Sequence, residues 1–283
     1  MPSDVRHPGR TAAELLKWFA GALVACLFIT PILWALSASL RSTGQPWARD
    51  PEWIPSPLAW ENYTAVFDAV NAARFAINSL IIVVFATPLT ILFASLAGFA
   101  ISQLSRRWRT RFLLLSVGCL MVPITAIWLP RFILYKESGL IDTRFVLIVP
   151  SLMGTSPLYV MLFVWAFLRI PRDHIDAAKL DGAGAFRIWG EIGLPLARPA
   201  IVAVGVLSAV HYWNAFIEPL LYIRTIDKYV ASQGLRMLYQ FDSTNWPLIM
   251  AGSILMIAPI IALFTLAQRV FLQDRRGQSI LAR

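Results

Sequence analysis

The 283-residue chain is 58% apolar and only 14% charged, with a formal net charge of +9 and a mean hydropathy of +0.63. Soluble globular domains run nearer about 45–50% apolar and about 25% charged, so a soluble enzyme or binding module is excluded. The apolar runs are solid rather than alternating over about ten residues, which excludes a transmembrane β-barrel.

Six stretches contain no Asp, Glu, Lys or Arg: Trp18–Leu40, Phe75–Ser105, Phe112–Pro130, Phe145–Leu168, Pro199–Ile217 and Trp246–Gln268. A helix needs roughly 20 apolar residues to cross the hydrocarbon core, so each is a predicted membrane span. The first follows a short N-terminal segment, residues 1–17, and covers residues 18–40. Ser37-Ala38-Ser39 resembles a signal cleavage site, but a signal core is only about 7–15 residues long. The first span is therefore read as an uncleaved helix.

Residues 41–74 form a loop carrying Trp47, Trp53 and Trp60 among Pro46, Pro51, Pro55 and Pro57. Interfacial Trp suits a membrane surface, and the loop is read as irregular chain on the outer leaflet. After the second span, Ser105–Arg111 places four Arg within six residues. This is read as a solvated cytoplasmic turn, with anionic lipid or nucleic acid as weaker alternatives. Prolines 31, 88, 123, 157 and 259 fall in five of the six spans, where neighbouring helices can re-satisfy the freed carbonyls. Cys26 and Cys119 both lie in apolar runs, which suits neither a disulfide framework nor a thiolate metal site. With Met1 on the cytoplasmic side, sixteen Lys and Arg fall in cytoplasmic pieces and nine outside. The bias predicts both termini inside.

The fourth loop, residues 169–198, is unlike an ordinary turn. Asp173 with Asp176 three residues on is a variant of the capping box. Ile175, Ala177 and Ala178 follow on a short helix, and Gly182 suits its left-handed end. A second short helix, Ala183–Trp189, leads through Ile192-Gly193-Leu194-Pro195 into the fifth span. Small residues let a second backbone approach closely, so the hairpin reads as a docking knob; an interfacial helix is the plainer alternative. In the fifth span, His211, Tyr212, Trp213, Asn214 and Glu218 form a polar cluster. Polar groups inside a span default to function, and these types can stack on sugar faces or bond hydroxyls. They can also serve as hydrogen-bonding glue between helices. His211 and Glu218 are predicted to share one helix face, two turns apart.

The run Asp176-Ala177-Ala178, then Asp181-Gly182-Ala183, then Leu194-Pro195, resembles the EAA loop of binding-protein-dependent ABC importers. Asp176 stands where that family usually has Glu. Asn78-Ser79-Leu80, the Trp213–Leu220 segment, Gln233-Gly234-Leu235, Asn245-Trp246, Ala251-Gly252-Ser253, Pro259 and Gln268-Arg269 narrow the resemblance to carbohydrate importers of the maltose-permease type. It covers residues 15–272; the tail, 273–283, departs from the family's Gly-rich ending. The resemblance implies an all-α membrane protein with six transmembrane helices in the type I ABC importer permease fold. Residues 75–272 would be the importer core, set in a cell membrane. It also implies a second permease subunit forming a heterodimer, two ABC ATPase subunits, an extracytoplasmic solute-binding protein and a sugar or sugar derivative such as glycerol phosphate. In some importers of this type only the partner subunit touches the sugar. The chain has no G-x-x-x-x-G-K-[ST] phosphate loop, so it is not the ATP hydrolase; the resemblance implies a permease subunit that is not an enzyme and binds no cofactor, with ATP and Mg used by the separate ATPase. Nucleic acid is not an expected partner. An ion-gradient-driven secondary transporter would instead show inverted repeats with intramembrane acids or bases, and only Glu218 approaches that description. An intramembrane enzyme would rest on His211 and Glu218 alone, without a nucleophile or metal set.

Overall fold

A computed structural model describes residues 8–43 and 53–281, and all regular elements in these residues are helical. In chain order they are α1 (Pro8–Ser39), α2 (Glu61–Ala69), α3 (Ala72–Gln103), α4 (Arg106–Met121), α5 (Ile124–Glu137), α6 (Phe145–Ile148), α7 (Pro157–Leu168), α8 (Arg172–Leu180), α9 (Ala185–Arg187), α10 (Leu194–Leu196), α11 (Arg198–Asn214), α12 (Ile217–Tyr222), α13 (Ala231–Phe241) and α14 (Trp246–Leu281).

Four helical segments are long and apolar enough to span a membrane: Glu14–Ser39, Ala72–Gln103, Phe145–Leu168 and Trp246–Gln268. Two bent pairs raise the number to six. The predicted straight span Phe112–Pro130 is instead α4 and α5, set at 90° across Val122–Pro123. Proline pushes the residue before it out of helical geometry, and Val122 is extended at φ −72°, ψ 121°. The predicted span Pro199–Ile217 ends early, at Asn214. Pro219 cannot donate to the Ala215 carbonyl and its ring would clash there; that oxygen accepts a hydrogen bond from Ser232 Oγ at 2.6 Å. Pro31, Pro88 and Pro259 sit inside continuous helices, while Pro157 opens α7.

The chain divides into two compact units, residues 1–70 with 237–255, and residues 71–236 with 256–283. Within the first, the loop after α1 is not wholly irregular, since it contains α2. Asn62, buried on α2, donates through Nδ2 to the carbonyls of Ser39 and Arg41 at 2.8 and 2.7 Å. Trp53 meets Trp34 edge-on, with ring centroids 5.5 Å apart. Trp47 lies outside the described residues.

The second unit is built on α3, which packs along α7 and α11. A Cβ on Gly98 would come 2.5 Å from Phe163 Cβ, so the absent side chain lets α3 and α7 close together, as small residues do in membrane bundles. One apolar cluster joins Phe99, Phe163 and Phe167 to Ile175 and Ile188; another joins Ile82, Tyr135, Val146, Tyr212 and Tyr222. Within the fourth span the backbone leaves helical geometry at Gly154 (φ +72°) and Thr155 (φ +61°).

Candidate functional site

The hairpin between α7 and α11 begins at α8. Its N-cap is Pro171 without a side-chain cap bond, so the predicted Asp173–Asp176 capping box does not form. Proline at 171 already sets the entry geometry. Asp173 stands in the first turn, where a carboxylate favours the helix dipole, and Asp176 pairs with Lys179 at 3.5 Å. The far end is a full Schellman closure. Gly182 N–H donates to the Lys179 carbonyl at 3.0 Å and Ala183 N–H to Ala178 at 2.9 Å, around Gly182 at φ +79°. The second helix is longer than the predicted Ala183–Trp189. It runs from Ala185 to Leu196 through a π-helical turn at Ile188–Gly193 and meets α11 at 82°.

The hairpin has an inner and an outer side. Ile175, Ile188 and Gly193 are buried, and Ala178, Ala183, Trp189 and Leu194 pack against the same core. Asp176, Ala177, Asp181, Gly182 and Pro195 are exposed. Leu180 and Phe186, which sequence reading did not single out, are 89% and 76% exposed. A Leu and a Phe on either side of an open glycine form an apolar knob that this chain leaves bare. Their missing signal was periodicity, because both fall outside the regular helical stripe.

The polar cluster of the fifth span separates into two kinds of residue. Tyr212 and Trp213 are buried and hydrogen-bonded inside the protein. Tyr212 Oη lies 2.7 Å from Thr155 Oγ1, which lies 2.6 Å from Thr90 Oγ1. Trp213 Nε1 donates to the Met256 carbonyl of α14 at 2.9 Å. Asn214 and His211 are exposed and Glu218 half-buried. His211 and Glu218 do not share a helix face, because the chain breaks between α11 and α12. They nevertheless line one cavity, with Tyr212 and Tyr222, of about 30 Å³. That is room for about two waters. Tyr222, in the same lining, is only 1% exposed.

The remaining motif residues hold the loops at this end of the unit. Buried Asn78 donates through Nδ2 to the Asp227 and Tyr229 carbonyls at 2.9 and 2.8 Å, and Ser79 Oγ accepts from Ala231 N–H at 2.9 Å. Gln233 Nε2 donates to Pro219, and a Cβ on Gly234 would sit 2.6 Å from Phe75. Asp142, at φ +62°, accepts from the backbone N–H groups of Arg224 and Thr225, from the Thr225 hydroxyl and from Lys228. Burial alone would raise its carboxyl pKa; these donors outweigh it and hold the group well below the usual carboxylate range.

Apolar helices able to cross a membrane four times, or six if each bent pair is one span, define a multi-pass membrane protein. The chain belongs to the family of binding-protein-dependent transport system inner membrane components, whose model matches residues 64–277. It is the permease part of such a system, and the ATPase is a different subunit. It is 30% identical over 269 residues to the arabinooligosaccharides transport system permease protein AraQ of Halalkalibacterium halodurans, covering 93% of this chain and 96% of that one. It is 28% identical to the diacetylchitobiose uptake system permease protein NgcG of Streptomyces coelicolor, covering 94% and 87%. In fold it matches a chain of a bacterial ABC transporter involved in import of the acidic polysaccharide alginate, at TM-score 0.74 and 21% identity, over 96% of this chain and all of that one.

Proposed function

We propose that this chain is one of two non-identical membrane subunits of an ATP-driven importer for a sugar, oligosaccharide or sugar derivative. An extracytoplasmic solute-binding protein hands the sugar over, and two ATPase subunits dock on the hairpin from the cytoplasm. Both termini are cytoplasmic. The observation that carries this reading is the uncovered knob of Leu180, Gly182 and Phe186, a surface shaped for another protein. The sugar class is supported by the relatives, which carry arabinooligosaccharides and diacetylchitobiose. Asn214, His211 and Glu218 are the residues left to meet a passing hydroxyl; Tyr212 and Trp213 act through packing.

Affinity purification of this subunit from membranes tests the reading. An ATPase chain with a phosphate loop should arrive with it in stoichiometric amount, and purification of a bare membrane subunit would favour an ion-driven carrier. For orientation, single Cys residues at Asp242 and Trp108, with Cys26 and Cys119 replaced by Ser, should react with an impermeant maleimide in intact cells at the first position only.

A further inference from the structure

The basic run Ser105–Arg111 lies outside the hairpin and the polar cluster described above, and a cleft opens beside it. The cleft, about 230 Å³, is lined by Ser102, Gln103 and Ser105 at the corner of α3 and α4 and by Arg172, Asp176 and Lys179 of α8. Asp176 is engaged by Lys179, which leaves the Arg172 charge uncompensated within the lining. Arg172, Arg106 and Arg107 form no ion pair among the described residues. Ser105 precedes the first turn of α4 and makes no side-chain cap, so the first N–H groups of a 16-residue helix, at its positive end, begin at the cleft wall. One turn on, Trp108 is 52% exposed and the Arg111 guanidinium lies 4.8 Å from its ring, a pairing suited to the headgroup region. The Ser102 hydroxyl donates to the Phe99 carbonyl at 2.7 Å, so the cationic side chains, the Ser105 hydroxyl and a helix N-terminus around this roomy cleft are the donors for phosphate oxygens. The cleft lies where α3 ends and α4 begins, beside the exposed Trp108, an arrangement that suits the headgroup level and a lipid's phosphate.

We propose that this cleft binds the phosphate of an anionic phospholipid headgroup, linking the α3–α4 corner to α8. A basic pocket between helices on the cytoplasmic side is a known physical route to such recognition. The lipid's effect on coupling, though not its binding, rests on the docking role proposed for α8.

The test uses the complete complex, with its partner membrane subunit and ATPases, in nanodiscs containing phosphatidylcholine and phosphatidylglycerol. Lipid retained after detergent extraction is read by native mass spectrometry. Phosphatidylglycerol should be retained in preference to phosphatidylcholine. Retention should weaken about fivefold for each cation removed in Arg172→Gln and Lys179→Gln, and survive in Arg224→Gln, an exposed cation on a remote loop. The charge-preserving pair Arg172→Lys with Lys179→Arg should restore it, separating charge from folding. Equal retention by wild type and the double Gln variant, or equal retention of the two lipids, would overturn the proposal. Displacement of the lipid by inorganic phosphate would also overturn it, assigning the cleft to free phosphate.

Discussion

The phenol of Tyr212 lies 2.7 Å from the hydroxyl of Thr155, a residue held at φ +61°. A β-branched residue visits this left-handed region only when its surroundings compel it. The bond therefore fastens the left-handed break in the fourth span to α11, and Thr90 extends the chain of hydroxyls to α3. Tyr212→Phe removes the phenol and leaves the ring. The expected loss is about 0.6–1.7 kcal/mol, the range for hydrogen bonds between membrane helices, read as a lower thermal unfolding midpoint of the purified complex. An unchanged midpoint would mean that packing alone holds this break.

Asp142 ties the loop after α5 to residues 224–228. Asn tolerates left-handed backbone, so Asp142→Asn keeps the conformation and removes the charge that Lys228 meets at 3.0 Å. The cost should be about 1.5–3 kcal/mol, as for hydrogen bonds to charged groups. The pH dependence has a definite sign. The folded pKa lies below the unfolded value of about 3.9, so the contribution is complete above that value and is lost as pH falls towards the folded pKa. Between pH 5 and pH 8 the difference between wild type and Asp142→Asn should stay constant, and acidification below about pH 4 should narrow it. A difference that widened on acidification would contradict the assignment.

Asn214 is exposed at the end of α11, just where the helix breaks. Asn214→Leu should reduce sugar uptake by reconstituted vesicles while the ATPase still co-purifies. Trp213→Phe, which leaves the Met256 carbonyl without its donor, should lower the unfolding midpoint instead. Uptake unaffected by Asn214→Leu would mean that this residue does not face the route.

Much of this architecture could be read from charge-free runs alone, because a span must be apolar over its whole length. The breaks could not. Pro88 sits inside a continuous helix while Pro123 marks a right-angle bend, where Val122 is extended instead of helical. Gly182 was legible because a left-handed residue after a short helix has one common solution. The orientation of the hairpin was not: Ala178 and Ala183 turn inward and Leu180 and Phe186 outward, which follows from how Ile175 and Ile188 seat in the core. The polar cluster was visible as types, but its division into bonded Tyr212 and Trp213 and open Asn214 depends on Thr155 and Met256, far away in sequence. Tyr222 carried no signal beyond being aromatic.

The bare apolar knob should carry much of the affinity for the ATPase. Burying a Leu or Phe side chain is worth about 1.5–3 kcal/mol, so Phe186→Ala or Leu180→Ala should weaken association roughly 10- to 100-fold, seen as loss of the ATPase during dilution. Association of wild-type strength in both would place the interface elsewhere.

On the proposed function, the hairpin transmits substrate arrival to ATP hydrolysis. At Gly182 a Cβ would meet nothing within 4 Å, so a substitution strains only the left-handed turn, by about 1–2 kcal/mol, and adds bulk to the outer surface. Gly182→Val should therefore leave the subunit inserted and folded. The decisive measurement is ATP hydrolysis by the purified complex in liposomes, with and without its loaded solute-binding protein. Stimulation by the loaded protein should be present in wild type and absent in Gly182→Val. Stimulation of wild-type size in the variant would contradict the claim and reduce residues 169–198 to a connector.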